Sequence, residues 1–126
     1  MQLATHFQDR DYTSGVTLHI MAGKLTIDKR MATRKGVIRV QIWMDSKLRK
    51  VNGYSFAYIN HNLMAEDHGR VLGFDDAHWY DHCTSEHHMH WFGEIRDNVK
   101  HASAKLADER FNRFLGRLKQ HYGKNY

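Results

Sequence analysis

The chain has 126 residues, one cysteine, no proline, 41% hydrophobic and 12% aromatic residues, which fits a single domain over 1–126 and excludes a disordered tail. No apolar run approaches the roughly 18 residues of a membrane span, the N-terminus lacks the pattern of a signal peptide, and the lone Cys83 cannot close an internal disulfide, so the expectation is a cytoplasmic protein with no membrane partner. The net charge of +5 is unevenly laid: residues 24–50 carry an excess of +7, residues 51–95 carry −6, and residues 96–126 return to +5.

Strand signals run from residue 15 to 95. Gly15 to Met21 is rich in β-branched and apolar residues, and Ala22-Gly23 offers a tight turn into the alternating Lys24 to Asp28. Gly36 opens the clearest strand, Val37 to Met44, with Ile38, Val40, Ile42 and Met44 on one face and Arg39 and Gln41 on the other. Tyr54, Phe56 and Tyr58 share a face of the next strand, and Val71 to Asp75 follows. Residues 76–87 read as a long loop, a place where function is often carried. Period-2 alternation resumes over His88 to Ile95.

After residue 100 the period lengthens. Ala102, Leu106, Arg110, Phe114, Leu118 and Tyr122 step through a helix whose apolar stripe Phe111 and Leu115 broaden. Ser103 or Asp108 is the candidate cap, and Gly123 the candidate end. The pattern predicts an α+β fold, an antiparallel five- to six-stranded sheet with one C-terminal amphipathic helix on a face. The expected core joins Ile38, Val40, Ile42, Phe56, Leu72 and Phe74 to Leu106, Phe111, Phe114 and Leu118.

Residues 70–90 hold five imidazoles, one thiol and several carboxylates. His88 and His90 project to one face of a strand, and His78, His82, His88 and His90 are candidate ligands for a divalent metal such as zinc. Without metal, His88, His90, Asp75 and Arg70 match the parts of a ribonuclease site. These are a base for the 2′-hydroxyl, an acid for the leaving oxygen and a cation for the phosphorane. The bland alternative is a pair of polar residues on a half-exposed strand, bonded to Asp75 or Asp76. Cys83 beside His82 lacks an oxyanion-hole signature, and Trp79 and Tyr80 are as suited to packing as to stacking bases. In the basic segments, Lys29, Arg30, Arg34, Lys35, Arg113 and Arg117 are the candidate nucleic-acid contacts.

The order of these segments carries a resemblance. Arg39-Val40-Gln41-Ile42-Trp43, then Tyr54 to Ile59, then Gly69 to His78, and finally His88-Met89-His90 resemble the TumE family of toxin–antitoxin proteins over roughly residues 36 to 95. The resemblance implies a toxin encoded beside a DNA-binding, helix-turn-helix antitoxin. The expected function is therefore a toxin-like component acting on RNA or translation. The alternatives are a non-catalytic nucleic-acid- or protein-binding module and, third, a metal-dependent hydrolase.

Overall fold

The computed structural model describes residues 2–6, 15–21, 23–45, 47, 50–76, 86–97 and 103–126. Eight strands, β1 (Gln2–His6), β2 (Gly15–Met21), β3 (Lys24–Ala32), β4 (Val37–Asp45), β5 (Lys50–Ile59), β6 (Arg70–Asp75), β7 (His88–Trp91) and β8 (Glu94–Asp97), precede one helix, α1 (Ala104–Tyr122). Each strand pairs antiparallel with its neighbour in the chain, so the sheet is a meander in the order β1 to β8. The fold is α+β, an antiparallel sheet with the C-terminal helix packed against it.

Among the described residues the sheet has eight strands where the sequence predicted five or six. One added strand is β1, which pairs Gln2 with His19 and Leu3 with Leu18. The other comes from 88–95, which is a hairpin and not one strand. Phe92 and Gly93 both take left-handed backbone, with φ of 46° and 83°, and this two-residue turn sets Trp91 opposite Glu94. Two left-handed residues are what a two-residue hairpin with the natural strand twist requires.

One face of the sheet is apolar. Ile38 from β4, Tyr54, Phe56 and Tyr58 from β5, Leu72 and Phe74 from β6, and Met89 from β7 are buried with Ala107, Phe111, Leu115 and Leu118 of α1. The Phe111 ring lies 5.8 Å from Phe56 and meets Phe74 edge-on at 6.4 Å, while Phe114 lies 5.3 Å from Trp91. Leu106, expected in this core, is 41% exposed. The stripe that faces the sheet runs through Ala107, Phe111 and Leu118, and Leu106 precedes Ala107 by one residue, about 100° round the helix. Of the two candidate caps the structure uses Ser103, whose hydroxyl accepts from the Leu106 N–H at 3.2 Å. Asp108 instead bonds Asn112.

Beyond Gly123 the chain turns back onto the sheet. The Tyr126 ring stacks on Tyr58 at 4.8 Å, and its backbone oxygen accepts from the Tyr58 and Thr33 hydroxyls. Asn60, buried, donates to the Tyr58 hydroxyl at 3.0 Å and to the Asn125 backbone oxygen at 2.6 Å. No helix among the described residues is long and apolar enough to cross a membrane.

Candidate functional site

The face opposite the helix carries the polar groups. Asp75 stands opposite His88 and Gly73 opposite His90 in the β6–β7 ladder, and Ser55 stands opposite Asp75 in β5–β6. Because Met89 and Trp91 turn toward the helix, His88 and His90 turn away from it, onto the side where Asp75 arrives. His88 is fully buried, and His90 and Asp75 are 2% and 5% exposed.

The three side chains converge. Asp75 straddles the two imidazoles, Oδ1 at 2.8 Å from His88 Nε2 and Oδ2 at 3.3 Å from His90 Nε2, and the two Nε2 atoms are 3.0 Å apart. The rings meet nearly edge-on, 4.8 Å between centroids. His88 Nδ1 lies 2.9 Å from the Glu86 carbonyl oxygen. A carbonyl only accepts, so Nδ1 carries the hydrogen and Nε2 is the atom turned to Asp75 and His90.

Arg70 joins them through a fault in the sheet. Tyr58 pairs with Leu72 but Ile59 pairs with Arg70, so Val71 is an extra residue in β6. Strict alternation back from Phe74 and Leu72 would send Arg70 to the helix side. The bulge re-aims it onto the polar side, as bulges beside functional sites do. There its Nη1 lies 3.7 Å from Asp75 Oδ2, and its Nε and Nη2 donate to both oxygens of Asp67 at 3.1 and 3.2 Å. Gly73 leaves the passage open. A methyl on Gly73 would meet Arg70 Cδ at 3.0 Å and His90 at 3.4 Å.

Burial, the largest single influence on His88, pulls its pKa down. The hydrogen bond to Asp75, the bond to the Glu86 carbonyl and the Asp75 charge together outweigh it, so the net direction is up, with Arg70 opposing. A second polar group lies on the helix side of the same strands, where Tyr54 is buried. The Tyr54 hydroxyl is 2.8 Å from His87 Nδ1, and Asp76 Oδ1 accepts from the Tyr54 N–H at 3.0 Å. Burial first, then the charges of Asp76, Asp75 and Glu86, raise the Tyr54 hydroxyl above its usual range, and burial raises Asp76.

The structure thus brings His88, His90, Asp75 and Arg70 together. Of the candidate metal ligands, His78 and His82 lie outside the described residues, as do Trp79, Tyr80 and Cys83. Among the described residues, the one group of metal-capable donors adds Asp75 to His88 and His90.

The six candidate nucleic-acid residues do not form one surface. Arg30, Arg34 and Lys35 line an open groove of about 550 Å³ with Arg39 and His61 at the β3–β4 turn. Lys29 lies beside Ile27 and Met31 at the margin of the helix-covered side. Arg113 and Arg117 are exposed on the outer side of α1, with Arg117 over the Phe114 ring at 5.1 Å. Asp67 and the Glu86 carbonyl, which hold Arg70 and His88, were not singled out from sequence. The Asp67–Arg70 spacing of three was a visible signal, while a backbone carbonyl leaves none.

Comparison with protein-family models, curated proteins and solved structures finds no match to this chain.

Proposed function

We propose that this chain is a toxin-like component of a toxin–antitoxin module, acting on RNA and held by a DNA-binding helix-turn-helix antitoxin. The observation that carries the reading is the convergence of Asp75, His88 and His90 within 3.3 Å, with the Arg70 guanidinium beside them. Phosphodiester cleavage in RNA needs proton transfer at the 2′-hydroxyl and the leaving oxygen, and a positive charge for the phosphorane. The imidazoles and Asp75 supply the first, directly or through a cation they enclose, and Arg70 the second. Arg39, Ala57, Gly73 and His90 form one cross-strand row on this face, so the basic groove and the cluster share a surface. The resemblance in residues 36 to 95 adds the toxin class and the antitoxin partner.

The test is growth arrest on expression together with cleavage of RNA by the purified chain. Both are expected for the parent, and both are expected to fall at least about 100-fold in Asp75→Asn and His90→Gln variants that remain folded, the lower end of what general acid–base groups contribute. Arrest and RNA binding that persist unchanged in both variants, with no RNA cut, would replace this reading with a non-catalytic RNA-binding module. The near-complete burial of His88 and His90 is what favours that second reading.

A further inference from the structure

We infer that Asp75, His88 and His90 form a binding site for one divalent first-row transition-metal ion. The inference deepens the reading of the same cluster, but it stands on donor geometry and does not need RNA to be the substrate.

The donors are arranged as acceptors around a shared position. With Nδ1 of His88 committed as donor to the Glu86 carbonyl, Nε2 of a neutral His88 is a lone pair. That lone pair faces Asp75 Oδ1 at 2.8 Å and His90 Nε2 at 3.0 Å. Groups buried this close need a shared hydrogen or a metal ion among them: the hydrogen of a neutral His90 Nε2, the added proton of an imidazolium, or a cation held by all three. Donors bound at about 2.1 Å to one ion stand about 3.0 Å apart at octahedral angles and about 3.4 Å apart at tetrahedral ones, and the separations here are 2.8, 3.0 and 3.3 Å. The carboxylate has an oxygen toward each imidazole, and one ligand atom from each of the three residues lies within 4.8 Å of the others.

The surroundings also fit. An imidazole ligand whose other nitrogen donates to a backbone carbonyl is the usual outer arrangement that fixes tautomer and ring orientation. His88 has it through Glu86. Asp75 is oriented on its outer side by Arg70, which Asp67 pins in turn. Two imidazoles and one carboxylate suit zinc, iron(II), nickel or manganese, and three protein ligands leave coordination positions open for water or a substrate oxygen.

The experiment uses the full chain, stripped with chelator, dialysed, and titrated separately with Zn(II), Ni(II), Mn(II) and, without oxygen, Fe(II). Binding is read by calorimetry and by elemental analysis of the desalted protein. One equivalent of at least one ion is expected, with affinity at least about 10-fold lower in Asp75→Asn and in His90→Gln, since even outer-shell changes reduce metal affinity 10- to 100-fold. A His121→Ala control, on the helix, is expected to bind like the parent. Circular dichroism identifies variants that have unfolded, and in the parent itself broadening of the His88 and His90 ring proton signals by Mn(II) locates the ion without them, their sharpness at one bound equivalent overturning the inference. Binding below a tenth of an equivalent for all four ions overturns the inference and leaves a hydrogen on one of the ring nitrogens as the link between the three side chains. One tight equivalent kept in both folded variants also overturns it, because the ion then sits elsewhere. No RNA enters these measurements, so failure to cut RNA and failure to bind metal are separate results.

Discussion

The two faces of one sheet solve opposite problems with alternate residues of the same strands. In β6 and β7, Leu72, Phe74, Met89 and Trp91 go to the helix side, while Asp75, His88 and His90 go to the other, and all of these except Trp91 are buried. The helix side needs mainly apolar bulk at the right period, which aromatic rings from β5, β6 and α1 fill, with the Tyr54 and Tyr58 hydroxyls bonded to His87 and the Tyr126 backbone oxygen. The polar side has to satisfy every buried donor and acceptor, which apolar patterning does not ensure. The lesson is that stability and chemistry are separated across the thickness of a single layer. Each face should therefore respond to a different kind of substitution.

The sharpest way to test that separation is to break the apolar side. Phe111 is 1% exposed and touches both Phe56 and Phe74. Phe111→Ala is expected to cost about 3–5 kcal/mol in urea unfolding, the range for removing a buried phenyl ring. A loss under about 1 kcal/mol would mean that α1 does not supply the lid on this side.

The matching change on the polar side is smaller. Asp75→Asn keeps volume and shape but removes the charge set between the two imidazoles. The expected loss is about 1–3 kcal/mol by the same assay, the cost of leaving buried partners poorly satisfied. If stability rises instead, the carboxylate strains the fold and is present for its chemistry alone.

The difference between the faces also explains what was legible beforehand. Alternation in Val37 to Met44 and in Tyr54 to Tyr58, followed by the change of period after residue 100, displays the helix-side core, the helix and the fold class. The same alternation places His88 and His90 together, and the register then delivers Asp75. Three things were hidden. Phe92-Gly93 splits an apparently continuous strand, because a left-handed phenylalanine has no compositional mark. Val71 bulges out and carries Arg70 across the sheet, which a period of two cannot forecast. The return of Tyr126 onto Tyr58 is a contact across 68 positions, set by tertiary packing alone.

A change at the start of the helix probes how firmly the lid is held. The Ser103 hydroxyl accepts the Leu106 N–H, and Ser103→Ala is expected to cost about 1 kcal/mol, visible as a small fall in the urea midpoint. No measurable change would show that packing of Phe111 and Leu118 fixes the helix start without its cap.

The smallest effect on stability, and the one that most sharpens the contrast, concerns charge. Arg34 and Lys35 belong to the groove that continues onto the polar face through Arg39, whereas Arg113 and Arg117 stand on the outer side of the helix, behind the apolar face. All four are exposed, so neutralising either pair should change folding stability by no more than about 0.5 kcal/mol. Their effect on RNA should differ. Each single-stranded phosphate neutralised contributes about −0.7 to the slope of log affinity against log salt. Arg34→Gln with Lys35→Gln is expected to flatten that slope by about 1.4, and Arg113→Gln with Arg117→Gln to leave it as in the parent. From Arg39 in β4 to His90 in β7 there are three strand spacings, about 14 Å. A strand of RNA held at the groove therefore reaches the cluster on the same face, with no need to pass the sheet edge. Equal flattening by both pairs would show that RNA touches both sides of the sheet. Flattening by the helix pair alone would move the RNA to the apolar side, away from Asp75 and both histidines, and would sever the groove from the cluster.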